Sequence, residues 1–305
     1  MSVFLTPDGL DGERVDTAAA RMTGWSRSRL AEHIAERRVL LDGVVVEKPS
    51  QKVSGGQLIE IAELTPRVVA VAPRLAQGLE IVHIDEDMVV IDKPAGVAAH
   101  PSLGWDGPDV VSHLAAAGVS VATSGAEERR GIVQRLDVGT SGLMVVARSE
   151  PAYSALKSQF RAHTVEKVYQ AVVQGHPDPP VGTIDSPTGR ASAGGWRFAV
   201  RADGRASVTH YETIEIMRGA ALLAVRLETG RTHQIRVHFS AMRHPLVGDP
   251  LYGCDPVLAS RLGLERQWLH ASRLGFEHPS TDEPVQFSSS PPNDLQVALA
   301  RLRED

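Results

Sequence analysis

Residues 131–149 read GIVQRLDVGTSGLMVVARS. This stretch places Asp137 in a short polar segment between two apolar runs, and the run that begins at Gly142 predicts a buried strand. A carboxylate here would lie on a loop held by a rigid sheet, which is a common position for catalytic groups. The competing interpretation is a turn in which Asp137 only caps Thr140 and Ser141. The stretch itself leaves both interpretations open.

Strand patterns dominate the chain on both sides of that stretch. Valine-rich apolar runs follow one another, and the regular alternation of strand and helix that typifies doubly wound proteins is absent. The chain is therefore expected to adopt an α+β fold, with a mixed, mainly antiparallel sheet and flanking helices. Strands are predicted within 79–85, 88–96, 142–149, 168–175, 207–217 and 221–230, and helices within 108–118, 150–164, 231–242 and 293–305. Thr232 is expected to cap the helix over 231–242.

A small separate module is predicted at the N-terminal end. Residues 1–12 are expected to form a loose lead-in, and 13–22 a helix. Ser26 offers an N-cap for a second helix, and Asp42-Gly43 between apolar runs predicts a β-hairpin.

Three segments follow from these patterns. The module occupies residues 1–63. A linker with two prolines and little helical periodicity occupies 64–78. The remaining residues, 79–305, are expected to form one larger domain.

The charge of the chain is unevenly distributed. The formal net charge is −5, from 32 Lys and Arg against 37 Asp and Glu, which does not favour general nucleic-acid binding. Arginines nevertheless concentrate in 21–38 and 226–243, and arginine binds phosphate through a planar fork of donors. A third basic segment, 190–205, contains Trp196 and is expected to form a basic loop. Each segment fits either a phosphate-binding surface or a solvated face.

Several classes of site are excluded by motifs that the chain lacks. The single cysteine, Cys254, allows neither an internal disulfide nor a cysteine-based zinc site. His233 and His238 are five residues apart, which does not match a metalloprotease helix, so no metal site is predicted and packing is the favoured role of both. Phosphate-binding loops and nucleophile elbows are absent as well. The lack of a signal peptide or a membrane-spanning run predicts a cytoplasmic protein without a membrane partner.

Four segments, in order along the chain, resemble the motifs of one enzyme family. Residues 81–102, 131–143, 167–175 and 230–253 are similar to the opening strands and the three motifs of the RluA/RluD family of RNA pseudouridine synthases. The similarity extends over residues 77–290. The N-terminal module resembles the αL-type RNA-binding module, and the pairing of the two is typical of the RluD-like branch. The resemblance implies a pseudouridine synthase fold preceded by an RNA-binding domain.

This resemblance implies a role for each matching residue. Asp137 would start cleavage of the glycosidic bond, Tyr169 would stack on the target uracil, and Arg236 would pair with Asp137. Arg135 would occupy the gap that an everted nucleotide leaves, and Arg231 of the third motif would contact RNA. In the N-terminal module, RNA contacts are expected from Arg27, Arg29, Arg37 and Arg38.

The chain also departs from the family pattern. Gln134 stands where histidine is common, Val138-Gly139 where Lys-Asp is common, and Asp92 where asparagine is usual. The loop around Asp137 would contact RNA, so these departures bear on which uridine is modified.

The resulting hypothesis is an isomerase that converts uridine to pseudouridine at a specific site in RNA, with 23S ribosomal RNA as the expected partner. The reaction has no net redox change, so no cofactor is expected. The protein is expected to be a monomer without a DNA partner.

Two alternative functions stay open. One is an RNA chaperone that has lost its catalytic activity, which the residues Gln134 and Val138-Gly139 suggest. The other is a carboxylate hydrolase such as a glycosidase, which would need a second carboxylate. Asp249 is the candidate, although its sequence context is that of a turn.

Overall fold

The computed structural model divides the chain into two compact units, 1–68 and 69–305. Among the described helices, none is long and apolar enough to cross a bilayer. Ser26, Trp196 and residues 64–70 of the predicted linker lie outside the described residues. The structure describes residues 2–25, 27–62, 71–102, 104–125, 129–191 and 197–304.

The N-terminal unit packs two helices against a four-stranded antiparallel sheet. Buried aliphatic side chains from both layers form its core. The strands lie in the order β1-β4-β2-β3. The elements are β1 (Ser2–Leu5), a short 3-10 helix (Asp8–Leu10), α1 (Val15–Thr23), α2 (Arg27–Ala35), β2 (Val39–Leu41), β3 (Val44–Val45) and β4 (Leu58–Ile61).

The prediction of a loose lead-in over residues 1–12 is wrong. These residues begin with β1, which pairs with β4 along its whole length, and Phe4 packs against the core. The pairing is possible because alternate side chains of β1 face the helices, as the twofold repeat of a strand requires. The hairpin predicted at Asp42-Gly43 is confirmed. Both residues have a positive φ, 49° and 77°, as a two-residue turn of this type requires.

The larger unit contains the remaining strands and helices. The strands are β5 (Glu80–Ile84), β6 (Met88–Lys93), β7 (Ser141–Ala147), β8 (Glu166–Gln174), β9 (Val181–Asp185), β10 (Thr188–Arg190), β11 (Phe198–Val200), β12 (Val208–Met217), β13 (Ala220–Leu227), β14 (Leu269–Glu277) and β15 (Pro284–Ser288). The helices are α3 (Val110–Ala116), α4 (Glu150–Ala162), α5 (Gln234–Ala241), α6 (Pro256–Leu262) and α7 (Asn293–Glu304).

A nine-stranded sheet forms the centre of this unit. Its order is β5-β6-β7-β14-β8-β13-β12-β9, and β15 pairs with β14. The pairings between its named strands are antiparallel except that of β7 with β14. This arrangement confirms the predicted α+β fold with a mixed, mainly antiparallel sheet.

The parallel pairing depends on a glycine in β7. Gly142 has a φ of 117°, and a Cβ atom there would come within 2.3 Å of the Ala271 carbonyl oxygen in β14. Only glycine adopts this conformation readily and allows so close an approach of two backbones. The loop that precedes β7 is thereby fixed against the centre of the sheet.

The start of α5 differs from its prediction. The helix begins at Gln234 rather than at residue 231, and Thr232 does not cap it. Its N-cap residue is His233, which has a φ of 56° and makes no side-chain cap bond. The Gln234 side chain instead accepts a hydrogen bond from the Arg231 amide at 2.9 Å, which closes the turn before the helix. Thr232 accepts a hydrogen bond from Arg135.

The basic segment 190–205 is only partly a loop. β10 and β11 pair as an antiparallel ribbon, with Arg190 opposite Phe198. Residues 192–196 between the two strands lie outside the described part of the chain.

Candidate active site

A cleft of about 520 Å³ opens in the larger unit. Segments far apart in the sequence meet there: the loop before β7, the end of α4, the start of β8, the end of β13 and the start of α5. Its apolar lining includes Ile132, Leu136, Leu227, Ile235 and Leu269. Asp137, Tyr169 and Arg236 all line this cleft, as do Arg135 and Arg231.

Asp137 directs its carboxylate into the cleft. The turn that carries it is closed by the backbone, because the Thr140 amide donates to the Asp137 carbonyl oxygen at 3.0 Å. The carboxylate oxygen Oδ2 accepts a hydrogen bond from Arg236 Nη1 at 3.2 Å. The side chain is 21% exposed, so it is reachable from the cleft. The geometry therefore favours the interpretation of Asp137 as a functional carboxylate over that of a turn cap.

Arg236 lies in α5 and bridges two carboxylates. Its Nε and Nη2 donate to Asp249 at 2.7 and 2.9 Å, and its Nη1 donates to Asp137. The guanidinium carbon also lies 4.9 Å from the centre of the Tyr252 ring, a cation–π distance. Burial disfavours the charge, but the hydrogen bonds and charges of Asp249 and Asp137 outweigh it and raise the pKa of Arg236. The side chain is therefore a fixed cation.

Sequence reasoning missed the role of Asp249 as the anchor of Arg236. Its carboxylate does hold a turn, because Oδ1 accepts from the amides of Leu251 and Tyr252 at 2.9 and 3.2 Å. The same carboxylate is fully buried against the guanidinium. The available signal was an acidic residue in the glycine- and proline-containing turn 248–253, soon after the arginine. That pattern indicates the turn but does not specify its partner.

Lys93, another residue that sequence reasoning did not select, fastens the loop of Asp137. Its ammonium group donates to the carbonyl oxygens of Pro94 and Val97 at 2.9 and 2.8 Å and lies 3.5 Å from that of Val138. Burial lowers the pKa of Lys93 to about 7, and the negative charge of Asp137 opposes this shift. The sequence signal was a lysine at the end of a strand of otherwise apolar character.

Two further side chains hold the loop from the start of β14. Arg266 donates to the Gly139 carbonyl oxygen at 3.1 Å, and its other nitrogens donate to Asp294 in α7. Gln267 donates to the Thr140 hydroxyl at 3.1 Å. A Cβ atom at Gly139 would lie 2.7 Å from Gln267 Oε1. Gly139, which departs from the family pattern, therefore leaves the space that the Gln267 side chain occupies.

Tyr169 and Lys167 line the cleft from β8. They are two residues apart, so they lie on the same face of the strand. Burial raises the pKa of Tyr169, and the charge of Asp137 adds to the shift. Burial lowers the pKa of Lys167 to about 8, and its ammonium group is 3.3 Å from the Glu228 carbonyl oxygen. A neutral phenol and a lysine therefore share one side of the cleft.

Cations outnumber carboxylates in the cleft, although the chain as a whole has a net charge of −5. Asp137 is the single carboxylate among the described residues that line it. The exposed Arg135 donates to Thr232, and Arg231 donates to the Ala206 carbonyl oxygen at 3.1 Å. The lysine and arginine side chains of the lining are Arg129, Arg135, Arg161, Lys167, Arg231 and Arg236.

The arginines selected in the N-terminal unit have different surroundings. Arg27 donates to the buried Asp16 at 2.9 Å, so it stabilises the fold of this unit. Arg38 lies 3.2 Å from Glu36. Arg37 is exposed and has a φ of 59°. The side chain of Arg29 lies outside the described residues.

The two histidines of the third motif have different positions. His238 is buried and contacts Thr209 Oγ1 and the Ser186 carbonyl oxygen, each at 2.9 Å, which is the predicted packing role. His233 lines the cleft instead, and its Nε2 lies 3.8 Å from Asp137 Oδ2. The spacing of ligand atoms that a metal ion requires occurs, within the described ranges, at Asp85, Asp87 and His278, which do not line the cleft.

The arrangement can place a negative charge against a bound ring. A carboxylate held by a fixed cation stays oriented, and a ring bound against the apolar lining would displace water from it. An aromatic side chain on the same cleft offers a stacking surface for a flat, uncharged group. The surrounding cations suit a polyanion as the bound molecule.

The lowered pKa of Lys93 predicts a pH-dependent stability. An unfolded lysine titrates near 10.5, so between pH 7 and 10.5 the unfolded state binds more protons than the folded state. The free energy of unfolding should therefore rise with pH, by up to about 1.4 kcal/mol per unit from this group. Below pH 7 both states are protonated and the slope disappears.

Urea unfolding of the wild type and of Lys93→Met at several pH values would measure this effect. The wild-type stability minus the variant stability should increase between pH 7 and 9.5, and subtraction cancels the contribution of Lys167. Lys157→Met is the control, because this exposed lysine carries no burial penalty on its charge. A constant difference for Lys93→Met would contradict the lowered pKa.

The burial of Asp249 predicts a large loss of stability in Asp249→Asn. The variant leaves the Arg236 cation without its main counter-charge, which should cost about 3 kcal/mol. Asp294→Asn is a matched control, because Arg266 binds Asp294 with the same two distances, 2.7 and 2.9 Å. The Asp294 side chain is 46% exposed against 0% for Asp249, so its loss should cost less than about 1 kcal/mol. If the two variants lost the same free energy of unfolding in urea, burial would not decide how much each ion pair contributes to stability.

Comparison with known families agrees with this geometry. The model of the RNA pseudouridylate synthase family matches residues 87–241, and the model of the S4 domain matches residues 13–59. The family membership that the motifs indicated is therefore confirmed, for both the larger domain and the N-terminal module.

Similar proteins cover nearly the whole chain. An uncharacterized RNA pseudouridine synthase of Mycobacterium tuberculosis is 54% identical over 97% of this chain and 96% of its own length. The ribosomal large subunit pseudouridine synthase D of Pseudomonas aeruginosa is 40% identical over 98% of this chain and 95% of its own.

Two solved structures share the fold. Human RNA pseudouridylate synthase domain containing 1 has a TM-score of 0.58 and 27% identity, over 72% of this chain and 86% of that one. Human RNA pseudouridylate synthase domain containing 4 has a TM-score of 0.56 and 25% identity, over 73% and 92%. With the family model and the full-length relatives, these matches show that the chain belongs to the RNA pseudouridine synthase family and carries an S4 domain at its N-terminal end.

Proposed function

We propose that this protein converts uridine to pseudouridine at the described cleft, with Asp137 as the carboxylate that starts cleavage of the glycosidic bond. The observation that carries the proposal is the Asp137–Arg236 pair at 3.2 Å in a cleft that Tyr169 also lines. The reaction breaks the bond from C1′ of the ribose to N1 of uracil, turns the base, and joins C1′ to C5. The C5 proton is released and N1 gains one, so no oxidant or reductant is consumed.

The target base must leave its stack to reach Asp137. Eversion of a nucleotide costs a few kcal/mol, and stacking on an aromatic side chain returns about 1–3 kcal/mol. Tyr169 lines the cleft and provides that surface; its phenol is neutral at physiological pH, as a tyrosine ordinarily is, and burial raises its pKa further. Arg135 is exposed at the cleft and takes the place of the everted base in the RNA stack.

Arg236 orients Asp137 for this reaction. A buried carboxylate without a cation is strongly destabilised, and the third guanidinium donor supplies that cation at a fixed angle. We assign the remaining cations of the cleft, Arg231 among them, to contacts with the sugar-phosphate backbone. They balance phosphate charge that an acidic protein would otherwise repel.

Large-subunit ribosomal RNA, 23S in bacteria, is the proposed substrate. Relatives 37–40% identical to this chain are named ribosomal large subunit pseudouridine synthase D, which supports this substrate class. We assign residues 1–63 as the module that docks RNA, 64–78 as the linker and 79–305 as the domain that carries the chemistry. The protein would act as a cytoplasmic monomer, on RNA rather than DNA.

A glycosidase would need a second carboxylate that faces the cleft, and Asp249 does not provide it. Asp249 is fully buried and both its oxygens accept hydrogen bonds from Arg236, so it does not face the cleft. The alternative of an inactive RNA chaperone differs from the proposal in its dependence on Asp137. A chaperone needs the shape and charge of the cleft but not this carboxylate.

Replacement of Asp137 by asparagine should abolish isomerisation. Each turnover on RNA tritiated at C5 of uridine releases tritium to water, and the rate should fall by about 10³-fold or more when the reacting carboxylate is lost. Asp282→Asn is the control, because Asp282 is an exposed aspartate outside the cleft and asparagine tolerates its φ of 57°.

Pseudouridine mapping in cells extends this test. Cells that carry Asp137→Asn should lack pseudouridine at one or a few sites of large-subunit RNA, while Asp282→Asn cells keep it. A wild type that releases no tritium from any cellular RNA, beside an active synthase, would refute the proposed reaction. A full cellular effect of Asp137→Asn would favour the chaperone.

The N-terminal arginines should contribute to RNA affinity. In the double variant Arg37→Gln/Arg38→Gln, two phosphate contacts are lost, so the slope of log Kd against log salt should flatten by about 1.5. Arg27 stays in place because it pairs with the buried Asp16. Arg273→Gln/Arg303→Gln, two arginines of the larger unit that pair with Glu166 and Glu215, is the charge-matched control. An unchanged slope for the first variant on full-length rRNA would contradict the docking role.

A further inference from the structure

His233 has a constrained position next to Asp137. Its backbone adopts a φ of 56° at the start of α5, and the ring lines the cleft rather than capping the helix. Nε2 lies 3.8 Å from Asp137 Oδ2. The ring packs edge-on against Tyr252 and Phe198, with centroid distances of 5.6 and 5.8 Å. These contacts restrict rotation of the imidazole, so the direction of its nitrogens is defined.

A chain of hydrogen bonds determines which nitrogen carries the proton. The Phe198 amide donates to the Tyr252 hydroxyl oxygen at 3.0 Å, and that oxygen lies 2.8 Å from His233 Nδ1. Since the phenol oxygen already accepts one hydrogen bond, donation of its own proton to Nδ1 gives both groups a partner, and we assign this direction. The imidazole then carries its proton on Nε2, which is the nitrogen nearest Asp137.

The imidazole is neutral in this environment. Burial lowers the pKa of His233, the charges of Asp137 and Asp249 oppose the shift, and those of Arg236 and Arg135 reinforce it. A second cation beside Asp137 would reduce the reactivity of the carboxylate. A neutral N–H donor can orient the carboxylate without adding that charge.

We propose that His233 is a positioning residue for Asp137 and that Tyr252 fixes the tautomer in which the Nε2–H bond points at the carboxylate. This inference rests on the proposed function, because it assigns the two Asp137 oxygens different tasks. Oδ2 accepts a hydrogen bond from Arg236 and has His233 Nε2 3.8 Å away, while Oδ1 accepts no hydrogen bond from the described residues and is left for the reacting atom. The distance from Nε2 to Oδ2 is 3.8 Å, and our proposal requires it to shorten to a hydrogen bond when RNA fills the cleft, as contacts in unliganded active sites commonly do.

The experiment measures single-turnover tritium release at saturating RNA, together with RNA affinity. His233→Ala should lower the rate by about 10²-fold, the usual effect of losing one preorganised donor. Tyr252→Phe removes one oxygen and keeps the ring beside Arg236, and it should lower the rate by about 10-fold. RNA affinity should change by less than about twofold in each, because neither variant removes a phosphate contact.

Conservative and combined variants separate positioning from a merely structural role. His233→Gln places an amide nitrogen near the position of Nε2 and should recover most of the rate. Removal of the Tyr252 hydroxyl should have no further effect in the His233→Gln background, because an amide has no tautomer to fix. Tyr211→Phe is the control, since this buried phenol donates to the Pro179 carbonyl oxygen away from the cleft and should retain the wild-type rate.

The outcomes test the positioning role of His233 separately from the proposed function of the cleft. A wild-type rate in His233→Ala overturns the inference, as does a double variant His233→Ala/Tyr252→Phe whose loss is the product of the two single losses, which indicates independent residues. If His233→Ala does not fold, Tyr252→Phe is compared in the wild-type and His233→Gln backgrounds. Equal loss of rate in both backgrounds would overturn the inference. An active wild type with an inactive Asp137→Asn variant leaves the proposed function intact whatever these variants do. A wild type without activity overturns both.

Discussion

The sharing of the Arg236 guanidinium between Asp249 and Asp137 is the interaction on which the cleft depends. A buried cation is stable only with compensating charge, and Asp249 supplies it through two hydrogen bonds. These two bonds fix the plane of the guanidinium, so the direction of its third donor is fixed as well. Asp137, 99 residues earlier in the chain, is held where that donor points. One ion-pair network thereby connects the loop before β7 to helix α5.

The loop that carries Asp137 is rigid for a second reason. Its carbonyl oxygens face donors from separate parts of the fold, Lys93 at the end of β6 and Arg266 before β14. Each donor comes from an element packed in the sheet or adjacent to it, so movement of Asp137 would break several hydrogen bonds together. A buried lysine with a lowered pKa is an unfavourable feature for stability, and its cost is consistent with a loop that must be held in one position.

The local charge of the cleft, rather than the net charge of the chain, fits a protein that binds RNA. A formal charge of −5 argued against nucleic-acid binding, and the arginine clusters argued for it. The fold resolves the contradiction because it gathers cations from α4, β8 and the loops before β7 and α5 around Asp137, the single carboxylate among the described lining residues. Cations that are dispersed in the sequence become a concentrated positive field only when the sheet brings those segments together.

The sequence alone determined the fold class, the family and the local turns, because these depend on periodicity and on short motifs. The hairpin at Asp42-Gly43 is an example, since two adjacent residues suffice to define its backbone. The prediction failed for residues 1–12 and for Thr232, where a distant strand and the Gln234 side chain decide the structure. Only the tertiary structure decided that Asp249 anchors Arg236, that Lys93 holds the Asp137 loop and that His233 lies beside the carboxylate. Lys93 and His233 come from segments that are distant from Asp137 in the chain, and the turn that carries Asp249 does not specify its partner, so no local pattern of residue types specifies which of these residues meet in space.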